Sequence, residues 1–486
     1  MRALLIAALA AGPAAADPIF ERVPAPDHVY AGGWEHFVGG GVAVFDCDGD
    51  ARPEIVAAGG TNPMTLLRVE GAGYAVAPFP EISGATGVYA LDLDADGALD
   101  LVILRVGPNA TLRGDGGCGF TPHDFGITDG GNAWTTAFSA TWETGQDRPT
   151  LAFGNYVDRA DPEGPFGACD TNILLRPAAD GWAETVLDPG FCALSVLFSD
   201  EDRDGAPTLR LSNDRHYYLR DGSEQMWHLD EARFLGPEDG FAAPSIWGMG
   251  IASRDINGDG RPDLMLTSMG DQLTMLSTPE GHAMAPFEIG TFAQRPHTGD
   301  DGRPSTGWHA EWGDVDNDGD ADLFIAKGNV DQMPGMAMED PNNLLLNEGA
   351  AFREVASTAG IATTDRARGA ALADLDGDGR LDLVVVNRRA PLEIWRNVSA
   401  AGGAVSVTLR QPGGNLDAIG AWVELRTDAG LQLQENTLGG GHAGGAVGPL
   451  HFGLGAAGGA DLRVTWPDGA VGEWTAVAPG RVTIER

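Results

Sequence analysis

Along most of the chain, short apolar runs alternate with turn-forming, aspartate-rich segments, and no stretch sustains the period of a long amphipathic helix. One unit recurs: an apolar run, an Asp-rich loop, then a β-rich run. Ala370-Ala371-Leu372-Ala373 ahead of DLDGDGRLDLVVV from Asp374 is the clearest example. DINGDGRPDLML from Asp255, DVDNDGDADLFIA from Asp314 and DLDADGALDLVIL from Asp92 repeat it. DCDGDARPEIVAA from Asp46 and DEDRDGAPTLRL from Asp200 depart from it, the first with Ala51 at the usual glycine position, the second with Thr208 at the last acidic position. WETGQDRPTLAFG from Trp142 keeps the frame and has lost the ligand-position acids. The loops start at 46, 92, 142, 200, 255, 314 and 374, and steps of 46 to 60 residues hold about four short strands with their turns. Seven units predict an all-β, seven-bladed β-propeller in which each loop joins two antiparallel neighbours.

After Asn397 the pattern changes. A Gly/Ala linker from Ala400 to Ala404 leads into alternating strands such as Val405-Ser406-Val407-Thr408-Leu409 and Leu462-Arg463-Val464-Thr465-Trp466, apolar on one face and polar on the other. The expected organisation is a propeller over residues 17–400 and a small C-terminal β-domain over 403–486. The Gly-rich stretch from Gly439 to Gly448 is expected as a flexible loop within that domain.

The loops carry the candidate chemistry. Ca²⁺ takes 6 to 8 oxygens, and a short loop with acids at alternate positions can wrap its side chains around one ion. Asp374, Asp376, Asp378 and Asp382 supply carboxylates at positions 1, 3, 5 and 9, with the backbone carbonyl of Arg380 at position 7. The same frame gives Asp314, Asp316, Asp318, Asp320 and Asp322; Asp255, Asn257, Asp259, Arg261 and Asp263; and Asp92, Asp94, Asp96, Ala98 and Asp100. The two departing copies contribute Asp46, Asp48, Asp50, Arg52 and Glu54, and Asp200, Asp202, Asp204 and Ala206. An EF-hand is excluded, because position 12 is Val385, Ile325, Leu266 or Ile103 instead of a bidentate Glu, and β-formers flank the loops. Turns alone would require neither four acids nor their fixed spacing, and like charges so close repel without a cation. The expectation is four to six Ca²⁺ ions that stabilise the blades.

Charge and cysteines narrow the class. Seventy acids against 31 bases give a formal charge of −39, which excludes nucleic acid as a natural partner. Arg2, the apolar run Ala3 to Ala11 and Ala14-Ala15-Ala16 read as a cleavable signal peptide over residues 1–16, so export to the periplasm or the extracellular space is expected. No later run approaches the roughly 20 apolar residues of a membrane span. Cys47, Cys118, Cys169 and Cys192 permit up to two disulfides, and Cys169 with Cys192, which closes the shorter loop, is the expected pair.

The repeats resemble the FG-GAP, or VCBS, repeats of integrin-α-like propellers, in which Ca²⁺ sits in a blade hairpin loop. The C-terminal region is similar to the ASPIC/UnbV domain through Ala418-Ile419-Gly420-Ala421, His451-Phe452-Gly453-Leu454-Gly455 and Trp466-Pro467-Asp468-Gly469, in that order. Together they resemble the cartilage acidic protein family and its bacterial members. That resemblance implies the fold and the calcium sites; the function it leaves open.

Other motifs add little. Arg113-Gly114-Asp115 spells an integrin-recognised tripeptide but falls in an ordinary blade hairpin, and Asn109-Ala110-Thr111 and Asn397-Val398-Ser399 fit the glycosylation pattern. His309 with Glu311, near Trp308 and Trp312, precedes the Asp314 loop, where a strand and a packing role are expected. His442 and His451 could meet in space. No Gly-x-Ser-x-Gly, His-Glu-x-x-His or phosphate-cradling glycine loop is present. The reading is a calcium-dependent binding module for a protein or glycan ligand. The alternative is an enzyme with its site on the propeller axis, tested at His309 or Arg388, or at the junction with the last domain.

Overall fold

A computed structural model describes residues 17–161, 168–214, 222–279, 281–292, 302–331 and 333–486. The segment read as a signal peptide lies outside the described residues. Strands dominate, arranged as seven mainly antiparallel sheets of four or five strands and two further sheets, of three and four strands, near the C-terminus. The inner strands of the seven sheets are Val42–Phe45, Ala85–Leu91, Thr135–Thr141, Ala193–Ser199, Gly248–Arg254, Gly307–Gly313 and Ala367–Ala373, which we number as blades 1 to 7. Each inner strand packs against the inner strands of both neighbouring blades, blade 7 returning to blade 1, so the ring is closed. Most inner strands are buried on both faces, as expected where each sheet is sandwiched between two others.

Side chains also stitch neighbouring blades. The Thr86 hydroxyl donates to the Thr135 carbonyl at 2.6 Å, and the Thr136 hydroxyl to the Ala193 carbonyl at 2.7 Å. Blade 7 takes its fourth strand from the other end of the chain: Phe20–Arg22 pairs antiparallel with Glu393–Asn397. The ring is thereby closed by hydrogen bonds between distant parts of the sequence.

The C-terminal domain is built from two sheets. Ala404–Arg410 pairs with Leu450–Gly453 and, in parallel, with Gly480–Glu485. Trp422–Arg426 pairs with Leu431–Glu435 and Ala460–Thr465, the last of which carries Thr475–Val477. Val405, Val407, Val423, Leu425, Phe452 and Val464 fill the space between them. Two disulfides are formed. Cys169–Cys192 is the pair expected from the sequence, and Cys47–Cys118 ties the Asp46 loop of blade 1 to the outer hairpin of blade 2.

The Gly-rich stretch corrects the sequence reading. It does not hang as a flexible loop within the C-terminal domain but runs through the propeller axis, with Leu438 and Ala443 buried and His442 fully so. Gly444–Ala446 lies parallel to Val88–Ala90 as a fifth strand of blade 2. Gly440 N–H donates to Val196 O at 2.8 Å and Gly441 N–H to Ile251 O at 2.7 Å, while the Ser139 hydroxyl donates to Leu438 O at 2.6 Å. Glycine is required because backbone meets backbone: a Cβ on Gly41 of the ring would overlap the carbonyl of Ala443, and one on Gly441 would enter the His309 ring. Flexibility inferred from composition is overridden here by partners that the ring supplies.

Candidate functional site

Each Asp-rich loop leaves the end of an inner strand and returns into the second strand of the same blade, so all seven emerge on one face of the ring. The hydrogen bonds repeat. The first aspartate caps the turn: Asp255 accepts from the N–H groups of Gly258, Asp259 and Gly260, and Asp374 from those of Gly377, Asp378 and Gly379. Asp92, Asp200, Asp314 and Asp46 take the equivalent part in their own loops. The fifth-position acids Asp50, Asp96, Asp204, Asp259, Asp318 and Asp378 each accept the N–H two residues on, at Arg52, Ala98, Ala206, Arg261, Asp320 and Arg380.

The ninth position opens the second strand and is buried. One oxygen of Asp322 accepts from Val315 N–H at 2.9 Å and the other from Asn347 N–H at 2.9 Å. Asp100, Asp263 and Asp382 bridge the loop to the third strand in the same way, and Glu54 accepts from Cys47 N–H. This acid therefore locks three segments of a blade together, a duty that the spacing alone did not reveal.

The third position separates the loops. In blades 1, 2 and 7 an arginine of the third strand reaches this acid: Arg68 to Asp48, Arg113 to Asp94, and Arg396 to Asp376 at 2.8 Å. In blade 6 the equivalent third-strand residue is the buried Leu346, and no arginine among the described residues pairs with Asp316. One buried oxygen of Asp316 has no hydrogen-bond partner among the described residues. Carboxylate oxygens of Asp314, Asp316 and Asp322 lie within 4.8 Å of one another. Burial, reinforced by repulsion from Asp318, pushes Asp314 up to about 8; burial and Asp318 push Asp316 up to about 6. Burial with Asp314 and Asp316 nearby drives Asp322 well above the usual range. Burial likewise pushes Asp100, Asp263 and Asp382 up to about 7. Oxygen-only donors crowded in this way are the set that a hard divalent cation takes.

The C-terminal domain rests on these loops. Gly455 N–H donates to Asn317 O at 2.7 Å, Asn317 Nδ2 donates to Gly402 O at 3.1 Å, and His451 bonds the Asn317 side-chain oxygen at 2.7 Å. A Cβ on Gly453 would overlap the Asp314 carboxylate. Glu435, pushed up to about 8 by burial, accepts from the Ser199 hydroxyl and from Asp200 N–H at the blade 4 loop.

The axial histidines hold the thread. His442 Nε2 accepts from Gly39 N–H at 3.1 Å, which leaves the proton on Nδ1, directed at Met249 O at 2.9 Å. Burial pulls His442 down to about 3, so it stays neutral. His309 Nδ1 accepts from His442 N–H at 3.1 Å, which places its proton on Nε2 against Glu311 at 3.2 Å. Both ring nitrogens of His309 are thus occupied. His442 and His451 have separate partners and form no joint site. Arg388 follows the second strand of blade 7, on the face away from the loops, where it binds His36 O at 2.9 Å and Asp331 at 3.1 Å. The Arg113-Gly114-Asp115 tripeptide is consumed by the fold: Arg113 pairs with Asp94, Gly114 N–H donates to Asp100, and Asp115 caps its own turn. Asn397 is fully buried with its amide nitrogen bonded to Val315 O.

The ASPIC and UnbV family profile matches residues 411–485, and the FG-GAP-like repeat profile matches residues 46–103 and 333–385. Cartilage acidic protein 1 of Mus musculus is 26% identical over 483 residues, covering 88% of this chain and 70% of the relative. The Homo sapiens protein of the same name is 25% identical, with 88% and 69% covered. The chain is also similar to BBS1N from its complex with ARL6DN, at 11% identity and a TM-score of 0.47, over 79% of this chain and 99% of that one.

Proposed function

We propose that this chain, in which FG-GAP-like repeats are followed by an ASPIC and UnbV domain, is an exported interaction module whose blade loops are loaded with Ca²⁺. The observation that carries the calcium reading is the blade 6 loop, where a buried oxygen of Asp316 has no hydrogen-bond partner among the described residues, amid carboxylates held at raised pKa. Bound there, Ca²⁺ supplies positive charge that cancels this repulsion. The chain's own residues preset the loop: Asp314 caps the turn, Asp322 ties it to two strands, and Asn317 presses it against the C-terminal domain. The loops at Asp92, Asp255 and Asp374 offer complete sets, while those at Asp46 and Asp200 are weaker through Ala51 and Thr208. Calorimetric titration of the chelator-treated protein with Ca²⁺ is expected to give four to six sites. A flat titration, with an unchanged melting temperature in chelator, would sink the reading.

Two disulfides fit an oxidising compartment, and no helix among the described residues is long and apolar enough to cross a membrane. The partner is proposed to be a protein or glycan bound in a calcium-dependent manner. Glycan-array and pull-down experiments blank with calcium and without it would count against that.

A further inference from the structure

On the face of the ring away from the loops, where blades 6, 7 and 1 meet, arginines gather. Arg366 precedes the inner strand of blade 7, Arg368 lies within it, and Arg388 and Arg389 follow that blade's second strand. Nη1 of Arg388 and Nη1 of Arg389 each lie 3.1 Å from Asp331 Oδ1, and Nη1 of Arg366 lies 3.7 Å from the same oxygen. Among the described residues, Asp331 is the one carboxylate within 4.0 Å of any of these four guanidiniums. Glu35 is taken by Arg159 at 2.9 Å, and Asp365 bears on Glu393. Arg368 is fully buried and donates to carbonyls, those of Phe37, Ala367 and Val330 among them. Burial pulls it well below the usual guanidinium range, and Arg388 and Arg366 add to the pull. Four cations thus share one anion in a chain of formal charge −39.

Two of these arginines stand where the backbone favours glycine. Arg366 has φ +59° and Arg389 φ +61°, both in the left-handed region. The position of Arg366 is Gly84 in blade 2, and that of Arg389 is Gly107 in blade 2 and Gly270 in blade 5, all at positive φ. A long side chain is strained there, so the fold alone does not call for arginine. Both side chains reach solvent, Arg389 being 45% and Arg366 29% exposed. Arg389 also donates to Gly32 O at 3.2 Å, while the Arg366 guanidinium has no closer polar partner among the described residues than Asp331. Each guanidinium offers five donors in a planar fork matched to a carboxylate, and most of these remain open on Arg366 and Arg389.

We propose that this cluster docks an acidic segment of a partner protein, its carboxylates received by Arg366 and Arg389. Alternate residues of an extended chain point the same way about 7 Å apart, a spacing that suits two guanidiniums gathered on one oxygen. A long polyanion such as a sulfated glycan would also meet the acidic remainder of the chain, which opposes it. The inference deepens the interaction-module reading and rests on it, but its site lies on the face away from the calcium loops.

The probe is fluorescently labelled hexaglutamate, titrated into the full chain by fluorescence polarisation in calcium and again in chelator, with hexaglutamine and a heparin hexasaccharide for comparison. Saturable hexaglutamate binding is expected in both conditions, about tenfold tighter than either comparison and weakened about tenfold by raising salt from about 0.05 to about 0.5 M. The double variant Arg366→Gly with Arg389→Gly is expected to lose about tenfold in affinity. Its melting temperature should hold or rise, since glycine relieves both left-handed positions. Asp331→Asn, which removes the one carboxylate of the cluster, should tighten binding about threefold. No saturable hexaglutamate binding, equal affinity for either comparison, full affinity in the double variant, or a melting temperature lowered by several degrees would overturn the proposal. Weaker or unchanged binding in Asp331→Asn would overturn it equally, whether or not the double variant folds. Binding seen in calcium alone would overturn this site and leave the calcium-dependent reading standing.

Discussion

Blades 3 and 6 place loops of the same length in the same frame and hold them by opposite means. In blade 3, Glu143 receives two bonds from Arg176 of the third strand, at 2.8 and 2.9 Å, and Thr150, like Thr208 of blade 4, stands where the other five blades have an acid. A tethered cation thus sits beside the loop. In blade 6 four acids converge and the third strand offers Leu346 instead. The turn itself needs few acids, so the clustered carboxylates of blade 6 exceed what architecture demands. Blades 1, 2 and 7 lie between these extremes, with clustered acids and an arginine at the third position.

The contrast can be broken at several points. Asp322→Ala leaves two buried backbone N–H groups without acceptors, and urea unfolding should show a loss of about 3 kcal/mol. Thr150→Ala in blade 3 should cost about 1 kcal/mol by the same measurement. Chelation should destabilise the calcium-loaded protein by about 2 to 3 kcal/mol, read as a fall in melting temperature. Asp316→Asn should make that fall smaller, since one of the repelling charges is gone. Glu143→Gln should cost about 1 to 2 kcal/mol by unpairing Arg176, equally with and without calcium. A calcium-dependent cost would erase the distinction between the two blades. Arg113→Leu removes the arginine beside Asp94, a half-exposed pair worth about 0.5 kcal/mol. Calorimetry should then show tighter calcium binding at blade 2; weaker binding would mean that Arg113 assists the site.

The seven-fold repeat was legible because each loop is a local object, made by residues within nine positions of one another. Asp92, Asp255 and Asp374 announce their turns by spacing alone. The anchoring duty of Asp322 was hidden, because its second partner, Asn347, lies 25 residues away. The axial thread was hidden more deeply. Gly439 to Gly448 is mostly glycine, and its partners are backbone atoms and the His309 ring on strands more than 130 residues distant, so no periodicity in the sequence encodes them. The closing strand Phe20–Arg22 and the Cys47–Cys118 bridge were unreadable for the same reason, being pairings between distant segments.

Two distant segments serve the ring: Phe20–Arg22 completes blade 7 and the stretch from Gly439 to Gly448 supplies its axle. Gly39 waits for His442, some 403 positions later, and Ile19 for Ser399, 380 positions later. A ribosome making this chain in order has therefore released every blade before the centre can be sealed. The slow step of assembly should be this final threading, because contacts of such long range form last. Until then the inner strands present their central amides to water, and the finished propeller is a product of the whole chain.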